Sequence, residues 1–211
     1  MDRRDFLKTL AAAGAMLTMK SNGVMDIMAS TLPGTATAQA AADNYADMAA
    51  IMNGEPAAML RAALEQLGGI KRFVKKGDKV TLKPNIGWDR TPELAANTNP
   101  DLIVEMIKQC QNAGAAEVRV FDHTCDEWTR CYDHSGIDKA VKAAGGIMVP
   151  ANEESYYQEI ELPKGKALKK AKVHKAILES DVWFNIPVLK NHGGARLTIA
   201  MKNHMGIVWD R

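Results

Sequence analysis

DVWFNIPVLKNHGGARLTIAMKNHMG, residues 181–206, opens with an apolar run, Val182 to Val188, of the length and composition of a buried strand. Pro187 closes the run because it has no N–H to give to a ladder. Lys190, Asn191, His192 and the pair Gly193-Gly194 follow, and the spacing then predicts a helix from about Ala195. A strand feeding a glycine turn and a helix aims backbone N–H groups and a positive helix end at the strand's carboxyl edge. With Lys190 and His192 in the turn and Lys202 and Asn203 on the helix, the stretch reads as a seat for an anionic ligand.

Working outward, helical spacing recurs after Pro56 (Met59, Leu60, Ala63, Leu64, Leu67) and after Asn99-Pro100 (Leu102, Ile103, Met106, Ile107, Cys110). Ser135-Gly136-Ile137-Asp138 starts a shorter helix. Short strands are expected at Val80–Lys83, Val118–Phe121 and Ile147–Val149. Tyr156–Glu161 and Leu168–Val173, joined by Pro163-Lys164-Gly165, read as an antiparallel hairpin whose many lysines suit a solvated edge. This order gives an α/β fold: a mostly parallel sheet with helices on both faces and an inserted antiparallel hairpin. Ligands in such sheets bind outside the carboxyl ends of the strands. Three of those ends are polar here, Lys83 with Asn85, Asp122 with His123, and Lys190 with His192. No G-x-G-x-x-G and no Walker loop follows a strand, so no nucleotide motif is present.

At 211 residues the chain suits one domain and a leader, and a net charge of +2 with interleaved signs calls for neither nucleic acid nor a membrane surface as partner. No apolar run reaches the roughly 20 residues of a transmembrane helix. Arg3-Arg4-Asp5-Phe6-Leu7-Lys8, followed by the moderately apolar Thr9–Met19, resembles a twin-arginine export signal and implies the twin-arginine machinery as a partner and a periplasmic or otherwise exported location. Ala36-Thr37-Ala38 is the small-x-small cleavage candidate. The expected organisation is a signal peptide over 1–38, a linker over 39–54 and a single α/β domain over 55–211.

His123-x-Cys125-x5-Cys131-x2-His134 is the stretch with metal-ligand residue types in close order. Its spacing matches no standard zinc or iron–sulfur pattern. In an oxidising compartment the same two cysteines can instead close a Cys125–Cys131 disulfide, and free thiols are the third alternative. Cys110, on an apolar helical face, reads as a core residue. His204, Trp88, Trp183 and Trp209 are read as packing residues.

Val80-Thr-Leu-Lys83-Pro84-Asn85, Thr98-Asn-Pro100, Ala113-Gly114-Ala, Ser135-Gly136-Ile137, Asp181-Val, Asn185-Ile-Pro187-Val-Leu-Lys190-Asn-His192 and Leu197-Thr198-x3-Lys202-Asn203-x2-Gly206 together resemble the family catalogued as domain of unknown function 362. The resemblance covers roughly Lys79 to Arg211. It implies a loose link to redox chemistry, since some members are joined to ferredoxin-like iron–sulfur modules, and it makes an iron–sulfur protein a candidate partner. This chain has no C-x2-C-x2-C-x3-C run for such a cluster. The family's domain usually continues past the lysine–asparagine helix, so a C-terminally incomplete domain is expected here.

Two functions follow as expectations. In the first, a small anionic or metal-containing ligand sits at the strand ends. Lys83, Asn85, Thr198, Lys202 and Asn203 would bind it, and Lys190, His192 and Asp122 would be the catalytic candidates for general acid–base chemistry. In the second, the protein is a redox accessory or interaction partner without enzymatic activity, its cysteine pair structural. The sequence leaves open whether the protein is an enzyme and which cofactor it holds, a metal ion being one alternative.

Overall fold

The computed structural model describes residues 45–210. The expected leader and the first part of the linker lie outside them.

The sheet is built around β1 (Lys79–Pro84), in which every residue after Lys79 is buried. β2 (Glu117–Val120), β3 (Ile147–Met148) and β6 (Val182–Ile186) complete a four-stranded, wholly parallel sheet of order β3-β2-β1-β6. Only β1 is buried on both faces, whereas β2 (EVRV) alternates between buried and half-buried positions. The chain runs outward from β1 to β3 and then returns to the other side of β1 with β6. The strand order therefore reverses between β1 and β6, and such a switch point opens a crevice at the carboxyl ends.

The helices form where local signals ask for them. In α2 (Pro100–Ala113), the Asn99 side chain accepts the Asp101 N–H at 2.8 Å, and Gly114 ends the helix in the left-handed conformation at φ 94°. α1 (Pro56–Gln66), α2 and α4 (Ile137–Ala143) cover one sheet face, where Val80, Leu82, Val118 and Val120 pack with Leu64, Ile103, Ile107 and Val141. Part of the expected linker also packs on this unit, as the Arg72 guanidinium lies 5.4 Å over the Tyr45 ring.

The opposite face carries Thr81, Lys83 and Phe121. It is covered by the hairpin of β4 (Tyr157–Glu161) and β5 (Lys170–His174), by the short α5 (Lys175–Leu178) and by the chain around Ile207 and Trp209. Thr81 Oγ1 ties this layer down by donating to Ala176 O at 2.8 Å. The hairpin lysines meet acids: Lys170 pairs with Glu161 at 2.9 Å and Glu159 at 3.1 Å, and Lys172 with Glu154 at 2.6 Å.

Two expectations are corrected. The segment after Pro187 is not a glycine turn into a helix. Lys190–His192 (β7) and Arg196–Thr198 (β8) pair as a second antiparallel hairpin around the glycines, and the helix α6 is only Ala200–Asn203. The close order of His123, Cys125, Cys131 and His134 in sequence is not kept either, because Trp128–His134 form α3. The Glu127 carboxylate caps α3 by accepting the N–H groups of Thr129 at 3.2 Å and Arg130 at 2.9 Å.

His174 links the second face together. Its Nδ1 accepts the Ala176 N–H at 3.1 Å, its Nε2 donates to Pro150 O at 3.0 Å, and its ring stacks 3.9 Å from Phe121. The Nδ1 acceptor role requires the neutral ring, and burial lowers its pKa from the ordinary value. The unfolded chain, with histidine near 6.5, therefore takes up the proton first. The contribution of His174 to stability is complete above about pH 6.5 and is lost as the pH falls toward the folded-state value. Denaturant midpoints measured from pH 7.5 to pH 5 should fall for the native protein and fall less steeply for His174→Asn; equal slopes would exclude this role.

Candidate functional site

The carboxyl ends of β1, β2 and β6 meet over a buried ion pair. Lys83 is fully buried: its ammonium donates to Pro84 O at 2.7 Å and Asn203 Oδ1 at 3.1 Å, and it forms an ion pair with Asp122 Oδ1 at 2.7 Å. The other Asp122 oxygen, Oδ2, accepts the Ile86 N–H at 2.7 Å. Tyr132, on α3, braces the Asp122 main chain, donating to its carbonyl at 2.9 Å. Asn203, on α6, donates to Asn185 Oδ1 at 2.7 Å and Lys83 O at 3.1 Å, so one amide joins β1, β6 and α6. Gly206 lies directly on the pair: a Cβ there would fall 2.0 Å from Asp122 Oδ1 and 2.7 Å from Lys83 Cε. The glycine is needed for close approach rather than for its backbone angles.

The loop after β1 is pinned above this layer. Asn97 clamps it through the Trp88 N–H at 3.1 Å and the carbonyls of Trp88 at 2.7 Å and Arg90 at 3.2 Å. Thr98 Oγ1 accepts the Asn85 N–H and donates to Ile186 O, each at 2.8 Å. Asp89 is held from outside by Arg130 at 2.6 Å and by His134 Nδ1.

Between this loop, the β2 end, the β7–β8 hairpin and α6 lies a cavity of about 470 Å³. Its wall includes Asn85, Asp122, His123, Cys125, Lys190, His192, Thr198, Lys202 and Asn203. All of these are sequence-derived candidates, which come together from segments more than a hundred residues apart. Lys83 is the exception among the binding candidates, since it lies beneath the wall and is saturated by its partners. Asp122 reaches the cavity, but both of its oxygens are engaged.

Lys190 projects from β7 and donates to Asn85 Oδ1 at 2.8 Å and Ala96 O at 2.6 Å, with its ammonium 5.8 Å from the Trp88 ring centroid. Burial lowers its pKa from the ordinary value, and the Lys202 charge acts the same way, against Cys125 and Asp122. His192 Nδ1 accepts the N–H groups of Gly194 at 3.2 Å and Ala195 at 3.0 Å, which leaves the ring proton of the neutral form on Nε2. His192 thus presents a donor rather than a free base. The helix-end anion site expected here does not form, because α6 is a single turn and the charge comes from side chains.

Sequence reading missed Arg90 and assigned Trp88 to packing, yet both line the cavity. Their signal was position, directly after a polar strand end. His204 and Trp183 do pack together, with ring centroids 5.2 Å apart.

The cysteine–histidine stretch diverges. α3 carries Cys131 into the core, His134 turns out to Asp89, and His123 stacks on Trp209 with rings 5.1 Å apart. Among the described residues no group of three or more histidine, cysteine or acidic side chains converges on a point, so the metal set His123, Cys125, Cys131 and His134 is not assembled. Cys110, Cys125 and Cys131 are free thiols, Cys125 exposed and the other two buried.

The fold and site define a parallel α/β protein with a cationic cavity at the switch point of its sheet. Residues 80–211 match the family Domain of unknown function (DUF362), and the chain belongs to it. Residues 1–19 match the twin-arginine translocation signal, so the protein is exported by that pathway. A thylakoid-associated protein of Synechocystis sp. is 27% identical over 155 residues, which are 74% of this chain and 47% of that relative. The chain thus spans about half the length of the curated relative it matches. No solved structure matches it significantly. Among the described residues no helix is long and apolar enough to cross a membrane.

Two predictions follow from the buried groups. Lys83→Met strands the Asp122 carboxylate and should cost about 3–5 kcal/mol in denaturant unfolding. Lys83→Met/Asp122→Asn, which removes the charge and keeps an acceptor for Ile86, should recover much of that loss; additive costs would contradict the pairing. Burial pushes the thiols of Cys110 up to about 12 and Cys131 up to about 11. Ellman's reagent at pH 8 should therefore titrate Cys125 alone in the native protein and all three thiols in guanidinium.

Proposed function

We propose that this exported protein binds a small anionic molecule in the cavity at the carboxyl ends of β1, β2 and β6. The observation that carries the reading is the sharing of one wall by three polar strand ends, where cations lack acidic partners. Lys190 donates only to neutral oxygens, and the Lys202 ammonium has no hydrogen bond or ion pair among the described residues. Asn85 offers its amide N–H groups, because its Oδ1 is taken by Lys190, and His192 offers Nε2–H. Lys83, Asp122 and Asn203 act as positioning residues that hold these groups in place. Trp88 and Met205 add apolar surface to the same wall.

The test compares native and denaturing mass spectra of the exported protein with those of Lys190→Met. An excess native mass that disappears in the variant, with the melting temperature unchanged in the absence of ligand, is the expected outcome. For an anion that binds both forms, affinity should drop at least about thirtyfold, reflecting a charge-assisted hydrogen bond of about 2 kcal/mol. A variant that keeps the ligand with full affinity would remove Lys190 from the site.

A further inference from the structure

We infer that the ligand of this cavity is an organic anion carrying two or three negative groups set apart on a carbon frame, not a compact single anion. The inference rests on the anion-binding reading above and specifies its chemistry.

The first argument is charge. Arg90, Lys190 and Lys202 line the cavity, and Asp122 is the one carboxylate on the same wall. That carboxylate is already neutralised by Lys83 at 2.7 Å. The nearest acid in sequence to Arg90 is Asp89, which is committed to Arg130 and His134, so Arg90 reaches only the Asp89 carbonyl at 2.7 Å. Three cations are therefore left without a carboxylate partner among the described residues. Lys190 and Lys202 repel one another, a standing cost that a ligand of one negative charge offsets only in part.

The second argument is distribution. The three cations arise from separate segments: the loop after β1, strand β7 and helix α6. A compact phosphate or carboxylate is held by N–H groups that converge on one point, as at a helix N-terminus or a backbone nest. Here α6 is a four-residue turn, and two backbone N–H groups that could have faced a ligand, those of Gly194 and Ala195, are consumed by His192. Donors spread around the wall suit anionic groups spread over a molecule. The third argument is composition, because Trp88, Ala96 and Met205 give the cavity of about 470 Å³ apolar surface between its charged groups for a carbon frame.

Calorimetric titration of the exported protein with acetate, succinate, tricarballylate and inorganic phosphate separates charge from charge separation. Affinity should rise about tenfold at each added carboxylate, the effect of roughly one further ion pair, and phosphate should not exceed succinate. Lys202→Met and Arg90→Met should each weaken tricarballylate about tenfold more than they weaken acetate. Equal affinities along the carboxylate series, or phosphate as the tightest ligand, would overturn the inference while leaving an anion site in place. Absence of binding by all four probes would overturn the anion-binding reading itself, and this inference with it.

Discussion

The Lys83–Asp122 ion pair is the interaction on which the site depends. An ammonium with no exposed surface survives only if its charge and its protons find partners, and here a carbonyl and an amide oxygen accept hydrogen bonds while the Asp122 carboxylate supplies the counter-charge. Those partners come from the β2 end, from β1 itself and from α6, so satisfying one charge aligns three parts of the chain. Gly206 then closes over the pair at a distance that permits no side chain. A buried pair of this kind adds little to stability compared with apolar packing, but it permits very few arrangements of its neighbours. That restriction gives the cavity floor its shape.

Above the floor, polar groups divide into the committed and the uncommitted. Asp122, Asn97, Thr98, Asn203 and Nδ1 of His192 spend their hydrogen bonds on the protein, holding loop, hairpin and helix against the strand ends. Arg90, Lys190, Lys202 and the Asn85 amide N–H groups point their capacity at the cavity or at neutral oxygens. This separation leaves the wall electrostatically unbalanced above a floor whose polar groups are matched. The location follows from topology, since a sheet whose order reverses beside β1 leaves its crevice there.

The two corrections have a common physical origin. Lys190 to Thr198 offered lysine, glycine and helix-forming alanine, which suit a turn and a helix by local preference. Pairing Lys190 with Thr198 and His192 with Arg196 instead satisfies the backbone of a segment that has no core to lie against as a helix. Trp128, Cys131 and Tyr132 stand at helical spacing behind the capping Glu127, a signal masked by the cysteines and histidines around it. Once Cys131 is buried on that helix, the candidate ligand set separates.

Alternating polarity, glycine and proline punctuation and helix caps determined the α/β class, the parallel strands, the first hairpin and the three polar strand ends from the sequence alone. The twin-arginine leader was equally legible, because export machinery reads it as a linear motif. The state of each polar group was settled by tertiary structure. Nothing local to Lys83 says that it is buried and saturated while Lys190 faces a cavity, as both simply follow apolar runs. The difference arises from partners at Asp122 and Asn203 in one case and Asn85 in the other, 39, 120 and 105 residues distant. Such pairings are fixed only when the chain folds, since burial assigns a charge its cost and its partner at the same time.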